Sequence, residues 1–177
     1  MYVRPLIAQE QAQVLLAKPP RPLARKRKIV KAELFYLPCY LFNAKVDKRD
    51  GSSNSGQICV DAIKGSFAFF LGVEFDGLPI EPYRTSGFLL SVDSARQLGL
   101  DGYRRHLLLQ SLKRREQASL HSFQFDKEIY YPYWIGYFRR KSRLDFEVVD
   151  ALSGQRQGVK MREVFIAALL QAKKGAP

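Results

Sequence analysis

The stretch "YYPYWIGYFRRK" (residues 130–141) sets six aromatics and three cations around one proline in twelve positions. Read as a strand, alternation puts Ile129, Tyr131, Tyr133, Ile135 and Tyr137 on one face and Tyr130, Trp134 and Phe138 on the other. Rings on both faces require that at least one side be covered by a helix or a partner. The competing reading is a surface on which bases stack beside cations that follow phosphates. The segment lacks the fixed order of basic residue, glycine and aromatics that marks the RRM fold.

An earlier stretch, "FYLPCYLFNAKV" (35–46), has the same outline with most cations missing, and the likeness extends outward from both. Ala12 corresponds to Ala95, Tyr36 to Tyr130, Pro38 to Pro132, Tyr40 to Trp134, Val60 to Val149, Asp61 to Asp150, Ala62 to Ala151 and Gly65 to Gly154. Proline and aspartate are 23 residues apart in the first copy and 18 in the second, a difference assigned to the hairpin loops "DKRDGSSNSG" and "KSR". Each copy reads as a helix, an aromatic strand, a hairpin turn and a second strand. That strand ends in "VDAIKG" or "VDALSG", where Asp bonds its own backbone and Gly takes positive φ. What repeats is apolar and what varies is basic, so the aromatics read as architecture and the cations as an addition to the second copy.

The expected fold class is α+β, with two related helix-plus-antiparallel-sheet units packed together: residues 1–76, a connector at 77–87, and 88–177 with additional helices. Ser91 is a suitable cap for a helix ending at Gly99. Asp101 suits the start of another helix, in which Leu108, Leu109 and Leu112 form much of an apolar stripe. A last helix over "KMREVFIAALLQAKK" offers Val164 and Leu169 for packing. Proline cannot donate to a ladder, so Pro38 and Pro132 are expected at edges or bulges.

The order of helix, aromatic strand and hairpin, ending in "CVDAIKG" or "VVDALSG", resembles PepSY-type repeats, whose strands run into a "vDa-x-[ST]-G" turn. Asp150, Ser153 and Gly154 fit that turn, while Lys64 stands where Ser or Thr is expected in the first copy. The resemblance implies a small antiparallel sheet with a helix against one face. It also implies a non-catalytic role in binding or restraining other proteins, often peptidases or envelope proteins.

Twenty-nine Lys and Arg against seventeen acids give a net charge of +12, which favours an anionic partner: nucleic acid, a lipid surface or an acidic protein. The expected partner or polyanion contacts are Arg25, Lys26, Arg27, Lys28, Tyr137, Arg139, Arg140, Lys141 and Arg143. The start "MYVRPLIAQEQ" has no uninterrupted apolar stretch and no run is long enough to span a bilayer, which points to the cytoplasm. Cys39 and Cys59 read as packed thiols, because a hairpin centred near residues 51 and 52 puts Cys39 opposite the region of residue 64. His106 and His121 have no metal-ligand spacing around them, and no phosphate-cradling motif occurs. Asp61 and Asp150 at equivalent turns read as structural rather than as an acid and base pair. No catalytic residue, cofactor or metal is therefore assigned. The expectation is a non-enzymatic module that contacts another protein through its aromatic sheet and basic surface. The alternative is an RNA- or single-stranded-DNA-binding protein that uses the basic clusters beside exposed aromatics.

Overall fold

The computed structural model describes residues 1–18, 28–49, 51–70, 74–114, 118–140 and 143–174. Among them the elements run β1 (Tyr2–Val3), α1 (Gln9–Ala17), β2 (Ile29–Lys48), β3 (Ser53–Asp61), β4 (Phe67–Phe70), β5 (Phe75–Asp76), β6 (Tyr83–Thr85), α2 (Val92–Arg114), β7 (Ala118–Arg140), β8 (Arg143–Asp150) and α3 (Val159–Lys174). The class is α+β, with a large mixed sheet. Two compact units divide the chain: Met1–Leu37, Glu74–Gly87 and Tyr130–Pro177 form the first, Pro38–Val73 and Phe88–Ile129 the second. These differ from the consecutive segments 1–76 and 88–177 because β2 changes unit after Leu37 and β7 after Ile129.

In the first unit, β6 pairs parallel with β2 from Leu34↔Tyr83 to Tyr36↔Thr85, so three residues of the expected connector join the sheet. The strand β7 pairs parallel with β1 at Tyr2↔Tyr130 and antiparallel with β8 from Tyr133↔Asp150 to Arg140↔Arg143. Ala12 and Leu16 of α1 pack into a cluster with Tyr36, Trp134, Phe138 and Val149. Phe165 of α3 meets Phe35 and Tyr133 edge-on, with ring centroids 5.8 and 4.9 Å apart. Neighbouring strand residues point to opposite faces, so Phe35 and Tyr36 meet different helices. Coverage on both sides explains the two-faced aromatic pattern. Full burial of such a side chain contributes about 1.5–3 kcal/mol.

In the second unit, β4 pairs with β3 and β3 with β2. Tyr40, Phe42 and Val60 share a core with Ala95, Tyr103 and Phe123. Ser91 caps α2 as expected, its Oγ accepting from the Ser94 amide at 3.2 Å. The helix does not stop at Gly99, however, but runs unbroken from Val92 to Arg114. Gly99 serves close packing instead of termination: a Cβ there would lie 2.5 Å from Val60 Cγ2, and one at Gly102 2.8 Å from Phe67. Beyond α2, Ala118–Leu120 belong to β7.

The hairpin register also differs from expectation. Cys39 faces Asp61 and Asp47 faces Ser53, so β2 runs to Lys48, β3 starts at Ser53, and much of the expected polar loop is ladder. Cys59, opposite Leu41, is thereby the diagonal neighbour of Cys39. Diagonal Cα atoms lie about 7–8 Å apart, at or beyond the reach of a disulfide. Both thiols are free and buried, and burial, followed by a hydrogen bond with Cys59, pushes the Cys39 thiol up.

Pro38 and Pro132 do not lie on edge strands, since β2 and β7 are both interior to the sheet. Pro38 lies between the last β2–β6 pair, at Tyr36, and the first β2–β3 pair, at Cys39. Pro132 lies between the β1 pair at Tyr130 and the first β8 pair at Tyr133. At each point one partner strand gives way to another, so no ladder bond is asked of the missing N–H. Each proline carbonyl still accepts, from the Ala62 amide at 2.9 Å and from the Ala151 amide at 3.2 Å.

Candidate functional site

The two aspartate turns are built alike. Asp61 Oδ1 accepts from the amides of Ile63 (3.0 Å) and Lys64 (2.6 Å), and Asp150 Oδ1 from those of Leu152 (2.8 Å) and Ser153 (2.9 Å). Gly65 and Gly154 close the turns at φ +76° and +72° and donate to the Asp61 and Asp150 carbonyls at 3.0 and 2.9 Å. Leu89 and Leu90 then donate to the Ala62 carbonyl, as Leu6 and Ile7 do to that of Ala151. Tyr40 Oη donates to Leu90 O at 2.9 Å, and Trp134 Nε1 to Ile7 O at 2.8 Å. With their carboxylates engaged by backbone amides, both aspartates hold turns.

Of the residues expected to contact a partner or polyanion, Arg25, Lys26, Arg27 and Lys141 lie outside the described residues, as does the placement of the Arg140 side chain. Lys28, Arg139 and Arg143 are exposed, and Arg139 pairs with Leu144 in the β7–β8 ladder. Tyr137 departs from that group. Its hydroxyl donates to Glu33 Oε1 at 2.6 Å, and Arg84 Nη1 reaches the same oxygen at 3.2 Å. Lys31 Nζ contacts Glu33 Oε2. Burial alone would raise the Glu33 carboxyl, but hydrogen bonds from Lys31 and Tyr137 and the charges of Lys31 and Arg84 outweigh it and hold it below the usual range. Burial, then the bond to Glu33, pushes the Tyr137 hydroxyl up. A phenol engaged in this way pins β7 to β2 and is spent inside the unit.

The expected aromatic contact surface is also mostly interior, since Tyr36 is 1% exposed, Trp134 7% and Phe42 0%. Two arginines of the first unit are likewise occupied. Arg156 pairs with Glu147 at 2.7 Å and also donates to the Leu15, Leu16 and Lys18 carbonyls at the end of α1. Arg162 pairs with Asp145 and lies 4.4 Å above the Phe146 ring.

The second unit presents a different surface. Leu108, Leu109 and Leu112, expected to pack, are 61%, 52% and 71% exposed, while Tyr103 and Leu107 of the same helix turn inward. At 3.6 residues per turn, Leu98, Arg105, Leu109 and Leu112 share the outer face with Leu108 beside them. Arg104 and Lys113, both exposed, flank that face on opposite sides. Between α2 and the β2–β3 hairpin lies a cleft of about 540 Å³ whose lining includes Lys48, Arg49, Arg104, Leu107 and Leu108. A neighbouring cleft of about 580 Å³ is lined in part by Lys48, Phe69, Tyr103 and His106. His106 faces Phe69 at 5.2 Å and stacks with Tyr103 at 6.3 Å. The leucines were visible in the sequence, but their direction depended on which helix face the sheet took.

Among the described residues no cluster of three or more His, Cys, Asp and Glu is placed to hold a metal ion, and no helix is long and apolar enough to cross a membrane. No family model, curated protein or solved structure matches the chain.

Proposed function

We propose that the chain is a non-enzymatic protein-binding module made of two related, PepSY-like repeats. The repeat reading is supported by the matched bonds around Asp61 and Asp150 and by the shared position of Pro38 and Pro132 at a change of partner strand. In this reading α1, from the first repeat, packs beside the Asp150 turn of the second, and α2 beside the Asp61 turn of the first. The binding reading is carried by one observation: the exposed leucines on the outer face of α2. Leucines exposed side by side on one helix face support an interaction site there.

Affinity capture with the full chain from its native source, with and without nuclease, tests the binding reading. Recovery of a protein at constant stoichiometry in both arms is expected. Recovery of nucleic acid alone overturns it.

The second reading, binding of RNA or single-stranded DNA, is favoured by the exposed Lys28, Arg139 and Arg143. Neutralised phosphates release counterions, so such binding must weaken steeply with salt. Absence of binding at low salt overturns that reading.

A further inference from the structure

We propose that the outer face of α2 and the cleft beside it receive an acidic amphipathic helix from another protein, a proposal that rests on the protein-binding reading above. Leu108 belongs to both surfaces: it lines the cleft with Leu107 and also stands beside Leu109 and Leu112 on the outer face. The apolar strip therefore bends from the helix crest into a groove, the form in which one helix seats its apolar side on another protein.

The charge around the strip selects the occupant. Lys48, Arg49 and Arg104 line the groove, and Arg105 and Lys113 are exposed on the helix. Asp101, the acid on this face of the helix, accepts from Gln97 Nε2 at 3.2 Å, and from Gly102 to Lys113 the helix carries no acid. Asp47, the one acid among the described residues that line the groove, is already held by Ser53 Oγ at 2.6 Å and faces His121 Nδ1 at 3.0 Å. A helix with leucines on one side and carboxylates along its margins satisfies both features. A second copy of this chain would bring the same cations together. Nucleic acid would leave the leucines without a use, and a flat lipid surface cannot enter the groove.

The test uses the full chain and three fluorescent probes: a helical peptide with leucines at i, i+3, i+4 and i+7 and glutamates on its margins, the same peptide with lysines for glutamates, and a scrambled acidic peptide. The acidic amphipathic peptide is expected to bind and the other two to bind at least roughly tenfold more weakly, a difference of about 1.4 kcal/mol. Leu108→Glu/Leu112→Glu should abolish binding, and Arg104→Glu/Arg105→Glu should reverse the preference toward the lysine peptide. These positions are exposed, and an unchanged melting temperature confirms folding. Equal binding of all three peptides, no binding of the acidic one, or leucine-dependent dimerisation without peptide overturns the proposal. Leucine-dependent sedimentation with phosphatidylserine vesicles while the acidic peptide fails also overturns it. If capture from the native source recovers a protein that protects amides elsewhere than Arg104–Lys113, this assignment fails while the protein-binding reading stands.

Discussion

Tyr137 Oη donates to Glu33 Oε1 at 2.6 Å across 104 positions of sequence. The bond connects a carboxylate that is 8% exposed to a phenol that sequence alone placed on a binding surface. It turns Tyr137 from a candidate contact into a support for the first unit.

Tyr137→Phe removes the donor while leaving Lys31 and Arg84 on Glu33. A hydrogen bond to a charged group is worth about 1.5–3 kcal/mol, and the half-buried position here sets the expected loss at about 1–2 kcal/mol. Urea unfolding of the full chain measures it. An unchanged midpoint would return Tyr137 to the pool of contact residues.

The same cluster predicts two pH limbs. Glu33 is held below its ordinary value of 4.5, so its contribution is present above that value and is lost as pH falls through the lower folded value. The stability gap between wild type and Glu33→Gln should shrink accordingly on acidification. Tyr137 is shifted up from 10.0, so its contribution is intact below that value and is lost as pH rises through the higher folded one. Tyr2, pushed up to about 12 by burial and then by its bond with Tyr83, acts in the same sense. Alkaline unfolding should therefore be shallower in Tyr137→Phe than in wild type.

Asp61 and Asp150 have unequal weight. Asp61 is 3% exposed and its Oδ2 also accepts from the Ser66 amide at 2.7 Å, whereas Asp150 is half-buried and its Oδ2 accepts from Tyr131 Oη at 3.0 Å. Asp61→Ala strands three amides and should cost about 2–4 kcal/mol. Asp150→Ala should cost about 1–2 kcal/mol, with Asp→Asn milder at both sites. Thermal denaturation ranks the four variants.

Gly99→Ala ought to stabilise an ordinary helix by up to about 1 kcal/mol. Here the added Cβ meets Val60 Cγ2 at 2.5 Å, so the substitution should destabilise by about 1–3 kcal/mol. Val60→Ala opens that space. A double-mutant cycle should show the pair less destabilised than the sum of its singles, and additivity would mean that the helix shifts away instead.

What the sequence by itself determined is what acts within a few residues or along one element. Asp61 with Gly65 and Asp150 with Gly154 specify their turns because the aspartate reaches amides only two to five positions on. Ser91 caps its helix for the same reason, and alternation named the two faces of Tyr130–Phe138 correctly. Tertiary structure alone decided which strand lies beside which. Pro38 is tolerated at a change of partners that no local pattern encodes, and Gly99 sits in mid-helix at a point where Val60 leaves no room for a Cβ. The outward turn of Leu108, Leu109 and Leu112 has the same origin: α2 has apolar residues on more than one side, and the sheet took the side carrying Tyr103 and Leu107. A helix can bury only the stripe that its neighbour covers, so the remaining leucines stand exposed on α2.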